Sequence, residues 1–83
     1  YHTTAIGKWH LGYDADPAYQ PTRRGFESFY GTVANTAFFR PRRFVDSRRS
    51  MESVQVEDPS FYTTEAYGAR ASEWIREHKD QPW

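Results

Sequence analysis

Apolar positions recur at helical spacing near the end of the chain: Tyr67, Ala71, Trp74, Ile75 and His78 fall at i, i+4, i+7, i+8 and i+11. The spacing predicts a helix with one apolar stripe. Arg70, Glu73, Arg76, Glu77 and Asp80 occupy the opposite face, so the helix is expected to pack on one side only. Thr63 or Thr64 is placed to cap its start, Glu65 sits in the first turn, and His78 and Lys79 close the last turn, as the helix dipole favours. Asp80-Gln81-Pro82 ends it.

Upstream the pattern is shorter and β-leaning. Thr3-Thr4-Ala5-Ile6-Gly7 reads as a strand leading into Lys8-Trp9-His10-Leu11-Gly12. Alternate side chains of an extended chain share a face, so Lys8 and His10 are expected to point one way and Trp9 and Leu11 the other, into packing. A cation and an imidazole side by side at a strand end make an anion site. Two prolines, two aspartates and a closing Gly25 mark the segment after Gly12 as a loop, with Gly25 taking a backbone angle other residues resist. Phe26 to Tyr30 reads as a short strand stopping at Gly31, and Thr32 to Pro41 as a second loop. Arg43 to Asp46 and Val54 to Val56 form a marginal hairpin around Ser47-Arg48-Arg49-Ser50. A core strand, loops, a short β ribbon and one C-terminal amphipathic helix together predict the α/β class.

Composition limits how this can pack. Two Ile, one Leu and four Val must share the core with fifteen aromatic side chains, so aromatics carry the packing. The chain opens without a methionine, inside a strand, and reads as an internal piece of a longer protein. It contains no cysteine, which removes disulfides, thiolate metal sites and a thiol nucleophile from consideration. No apolar run approaches the ~20 residues of a membrane span.

Formal charge is zero overall but unevenly spread. Residues 21–50 carry seven arginines against Glu27 and Asp46, net plus five, and residues 51–83 carry three bases against seven acids, net minus four. The two regions can neutralise each other or face solvent. The sharper expectation is an anion-facing segment at Arg40, Arg42 and Arg43, because the guanidinium fork suits sulfate, phosphate and carboxylate oxygens.

Tyr1 to Gly12, and within it Gly7-Lys8-Trp9-His10-Leu11-Gly12, resembles a motif of the sulfatase family. The likeness continues at Pro21, through Arg24-Gly25-Phe26-Glu27-Ser28-Phe29-Tyr30-Gly31, and again from Tyr62-Thr63-Thr64-Glu65-Ala66 to Trp74-Ile75-Arg76-Glu77-His78 and Pro82-Trp83. Three blocks in order span nearly the whole chain. The resemblance implies that residues 1–83 are part of an alkaline-phosphatase-like sulfatase catalytic domain, incomplete at both ends. In that family a formylglycine made from Cys or Ser attacks the sulfur of a sulfate ester beside a calcium ion. By the same resemblance Lys8 contacts the sulfate and the formylglycine, His10 hydrogen-bonds the formylglycine, and Asn35 lies toward the sulfate. The nucleophile and calcium ligands are expected outside this segment.

The implied partner is a sulfated small molecule or glycan; a hybrid reading, drawn from the arginines themselves, has Arg40, Arg42 and Arg43 grip extra sulfates of a sulfated glycan. Two alternatives stand beside it: hydrolysis of phosphate or phosphonate esters at the same kind of site, and a non-enzymatic, Arg-rich polyanion-binding segment. No recognisable nucleic-acid motif is present, so nucleic acid is not the expected partner.

Overall fold

The computed structural model describes residues 1–11, 16–33 and 37–83. Four strands, β1 (Thr4–Lys8), β2 (Ser28–Thr32), β3 (Phe44–Asp46) and β4 (Ser50–Val54), form one sheet in the order β1-β2-β3-β4. The helix α1 (Thr63–His78) follows them. β1 and β2 run parallel, with Thr4 opposite Ser28 and Lys8 opposite Thr32, whereas β2–β3 and β3–β4 are antiparallel. A mixed sheet with one covering helix is an α/β arrangement, as the pattern predicts.

Side-chain alternation divides the sheet into two packed faces. Tyr30 and Phe44 face α1, where Tyr67 meets both rings, at 6.3 and 6.4 Å between centroids. On the opposite face Phe29, Val33 and Val45 form the buried cluster, joined by Ala5 and Trp9. The loop from Asp16 to Phe26 covers that face through short 3-10 turns at Pro17–Tyr19 and Pro21–Arg23. It is fastened by the Trp9 indole N–H donating to Tyr19 O at 2.7 Å and by Gln20 Nε2 donating to Met51 O at 2.8 Å. Pro21 at the start of its turn has no N–H to satisfy, and Arg24 N closes the turn onto Pro21 O.

Two glycines set the spacing of the parallel pair. Gly7 and Gly31 lie directly opposite each other, and a Cβ on Gly31 would overlap the Gly7 carbonyl. Gly7 itself has φ +126°, outside the range side-chain-bearing residues readily adopt. Gly25, at φ +104°, takes the unusual angle expected of it.

The hairpin and the helix start differ from expectation. β4 begins at Ser50 rather than Val54, because the turn after Asp46 is tight: its carboxylate accepts Arg48 N–H at 3.1 Å and its carbonyl accepts Arg49 N–H at 2.9 Å. A register shift between Phe44 and Asp46 absorbs the mismatch. β2 runs two residues later than Phe26 to Tyr30, so Gly31 lies inside it rather than after it. Neither Thr63 nor Thr64 caps α1; Tyr62 occupies the cap position without a side-chain bond, Thr63 is the first helical residue, and its N–H donates to Phe38 O at 2.9 Å. A neighbouring loop thus does what a hydroxyl was expected to do.

The apolar stripe of α1 is narrower than its spacing suggests. Trp74 is buried and Tyr67, Ala71 and His78 are partly buried, but Ile75 is 44% exposed. Arg70, expected in solvent, turns to the sheet instead. Its guanidinium lies 3.9 Å above the Tyr30 ring and forks onto Asp46, Nη1 to Oδ1 at 3.1 Å and Nη2 to Oδ2 at 2.8 Å.

The outer edge of β1 is open. The parallel register and the bond from Trp9 N–H to Thr32 O turn the peptide groups of Ala5 and Gly7 toward β2, and therefore those of Thr4 and Ile6 away from it. At that edge His2 N–H donates to Pro82 O at 2.8 Å, bringing the segment after α1 beside the start of β1. Thr4 and Ile6 have no backbone partner there among the described residues.

Candidate functional site

The carboxyl ends of β1 and β2 lie side by side. In open α/β sheets this is the end where ligands collect. Lys8 is the last residue of β1, exposed, and opposite Thr32, the last residue of β2. β1 stops there, so His10 lies beyond the strand, exposed, rather than on a shared strand face with Lys8. Between them Trp9 N–H donates to Thr32 O at 2.8 Å, which holds the chain close to β2 for one residue past Lys8.

Trp9 packs into the buried cluster, as alternation requires. Leu11 does not: it is 64% exposed and forms a shallow shelf with Trp9, Tyr19 and Arg24. The covering loop already fills the face Leu11 was expected to reach. Gly12 and Asn35 lie outside the described residues.

Thr32 is buried, with the Tyr67 phenol of α1 beside it. Burial raises the Tyr67 phenol above its ordinary value, and hydrogen bonding toward Thr32 opposes the rise. The end of β2 therefore has a neutral phenol on its helix side and is fixed in the sheet by backbone bonds. Phe44 reaches the same level from β3, paired with Thr32.

Of Arg40, Arg42 and Arg43, Arg43 is the one whose backbone is tied to this end of the sheet. Arg43 O accepts Val33 N–H at 3.1 Å, which places Arg43 one residue past the Lys8–Thr32 level on the next strand. All three side chains are exposed. Arg40 and Arg43 hold φ of 47° and 51°, the left-handed region that favours glycine, and the fully buried Pro41 lies between Arg40 and Arg42.

The remaining arginines divide differently. Arg48, at the ribbon tip, bonds Glu73 at 3.4 Å and Glu77 at 2.7 Å on α1, so here the basic middle and the acidic end do neutralise each other. Arg70 and Asp46 form a partly buried pair; hydrogen bonding from Arg70 holds the Asp46 carboxyl below its usual range, and the same bonds raise Arg70. Burial also pushes the Tyr30 phenol up, opposed by the adjacent Arg70 charge. The cleft beside this pair, lined by Tyr30, Phe44, Arg49, Val54 and Phe61, includes neither Lys8 nor His10. Sequence reasoning missed Arg70, although its place three residues after Tyr67 and four before Trp74 puts it on the buried stripe.

His2 and His78 hold structural positions. His2 Nδ1 lies 3.1 Å from Glu27, and His78 Nδ1 lies 2.8 Å from Trp74 O within the helix. Among the described residues no three His, Asp or Glu side chains gather to hold a metal ion. Among the same residues no helix is long and apolar enough to cross a membrane.

What the end of the sheet offers chemically is an exposed ammonium and imidazole beside a backbone fixed by strand pairing, with the exposed Arg43 on the neighbouring chain. No protein-family model matches the chain. It is 27% identical over 86 residues to arylsulfatase J of Mus musculus, an alignment covering 94% of this chain and 14% of the mouse protein. It is 34% identical over 92 residues to an arylsulfatase of Klebsiella aerogenes, covering 99% of this chain and 19% of that protein. The chain thus spans less than a fifth of the length of these relatives and, along almost all of its own length, is similar to a segment of arylsulfatases.

Proposed function

We propose that residues 1–83 are part of the catalytic domain of a sulfate-ester hydrolase, with Lys8 and His10 as its contacts to the reacting group. The observation that carries this reading is the near-complete, collinear similarity to two arylsulfatases, combined with Lys8 at the carboxyl end of a parallel strand.

Hydrolysis of a sulfate ester moves negative charge onto the peripheral and leaving oxygens. An ammonium already in place at those oxygens stabilises the transition state more than the ground state. Lys8 supplies that charge, and the Gly7–Gly31 seam and the Trp9–Thr32 bond hold its backbone against rearrangement. His10, two residues on, supplies a hydrogen bond to the nucleophile-bearing group. The nucleophile, taken as a formylglycine, and the calcium ligands are assigned to parts of the protein outside these residues, and Asn35 remains a candidate toward the sulfate.

In the complete protein Lys8→Ala and His10→Ala should each lower kcat for an aryl sulfate by roughly 10²- to 10³-fold, the usual loss for one transition-state contact. Unchanged circular dichroism must accompany the loss. Near-normal turnover in both variants rejects the assignment. Faster turnover of the matching phosphate ester would move the reading to a phosphoryl-ester hydrolase.

A further inference from the structure

We propose that Phe38, Phe39, Arg40, Arg42 and Arg43 form a subsite for a multiply sulfated oligosaccharide, alongside the anion site at the ends of β1 and β2. The proposal rests on the sulfate-ester reading for its anion, but its own evidence is the build of this segment.

The backbone from Phe38 to Arg43 is pinned by four hydrogen bonds from three parts of the molecule. Thr63 N–H donates to Phe38 O at 2.9 Å, Gln55 Nε2 to Arg40 O at 2.7 Å, Val56 N–H to Pro41 O at 3.0 Å and Val33 N–H to Arg43 O at 3.1 Å. Its side chains nevertheless turn outward. Phe38 is 67% and Phe39 54% exposed, an unusual amount of apolar ring surface to leave in water.

Both rings are braced by Tyr62. Phe39 stacks on it at 4.9 Å and 22°, and Phe38 meets it edge-on at 6.5 Å. The rings are therefore a supported platform rather than loose side chains. Left-handed φ at Arg40 and Arg43 costs about 1 kcal/mol or more each, and such conformations persist where the surroundings enforce them, most often at ligand sites.

Rings and arginines together define the ligand. The C–H faces of a pyranose are apolar and electropositive, matching the negative face of an aromatic ring. The forked guanidinium donors match sulfate oxygens. Arg43 stands opposite Val33, two strand spacings or roughly 10 Å from the chain just past Lys8, so a second sulfate can be held while the first sits at Lys8. A small aryl sulfate reaches only the first position.

The test is binding, which is independent of turnover. The complete protein is titrated with a fully sulfated heparin-derived hexasaccharide, its desulfated counterpart and a single-stranded oligonucleotide of equal charge. The sulfated sugar should bind at least tenfold more tightly than either control, and Phe38→Ala, Arg40→Asn and Arg43→Asn should each weaken it by about three- to tenfold. Asn tolerates the left-handed angle, so the arginine variants add no strain, and Phe38→Trp should restore binding by replacing the ring.

Equal binding of the oligonucleotide with no effect of Phe38→Ala would show a polyanion patch only and overturn the proposal. So would the absence of sulfated-sugar binding in a folded protein. Binding as described, in a complete protein that turns over no sulfate ester, would keep the subsite and remove the hydrolase reading.

Discussion

Removal of the Arg70 guanidinium should destabilise the protein far more than loss of a surface arginine. Arg70→Met keeps most of the aliphatic stem over Tyr30 but deletes two bonds to Asp46, at 3.1 and 2.8 Å, and the cation 3.9 Å above the ring. The two side chains are 18% and 16% exposed, too buried for water to replace the partner fully. Charge-assisted bonding of this kind contributes ~1.5–3 kcal/mol and a partly desolvated cation–π contact ~1 kcal/mol, so the loss should be about 3 kcal/mol. Arg70→Lys, which keeps the charge but not the fork, should lose roughly half as much.

The assay is urea unfolding followed by tryptophan fluorescence, since Trp74 is buried against the sheet side of α1. Trimethylamine N-oxide is included because it strengthens effective burial in a protein with so small a core. A double-mutant cycle with Asp46→Asn should return a coupling of ~1.5–2 kcal/mol. The Asp46 pKa is lowered in the folded state, so its contribution is complete above the unfolded value near ~3.9 and is lost as pH falls through the folded value. The gap between wild type and Arg70→Met should therefore narrow as pH is taken from about 5 to 2. A coupling below about 0.5 kcal/mol, the level of an exposed pair, with a gap independent of pH would refute the reasoning.

Two further outcomes follow from contacts near the site. Gly31→Ala sets a methyl group against the Gly7 carbonyl, where both neighbours are strand backbone, so a loss of roughly 3 kcal/mol or more is expected; a near-UV circular dichroism spectrum and melting curve like wild type would contradict the close approach. Trp9→Phe removes the indole bond to Tyr19 O, worth about 1 kcal/mol, and should speed tryptic cleavage after Arg23 and Arg24 by roughly fivefold; an unchanged cleavage rate would mean the bond does not fasten the covering loop.

Much of this architecture was legible because it rests on periodicity. The helix announced itself through Tyr67, Ala71, Trp74 and His78, and the parallel strand through Thr3 to Gly7. What escaped depended on contacts distant in sequence. Arg70 reads as a solvent residue by type, and only Asp46 and Tyr30, twenty-four and forty residues earlier, make its buried position favourable. Leu11 and Ile75 read as core by type, yet Leu11 is 64% exposed, and Ile75, 44% exposed, lines an open apolar groove with Trp74, Ala71 and Ile6. One N–H of the first turn of α1, that of Thr63, is satisfied by the Phe38 carbonyl, which no capping pattern encodes. The place of Lys8 near a strand end was legible, but His10 falls past the strand, and the left-handed turn that carries Arg40 and Arg43 was not legible, because left-handed arginines have no composition signal.

The open edge of β1 governs how this polypeptide behaves by itself in solution. Peptide groups at Thr4 and Ile6 that are unpaired among the described residues are a template for an extended chain, including a second copy. Association through it would stabilise the folded form by mass action, so melting temperature would climb with protein concentration. Dilution series therefore belong with every stability measurement on the isolated chain, and a charged substitution at Thr4 gives a monomeric reference state.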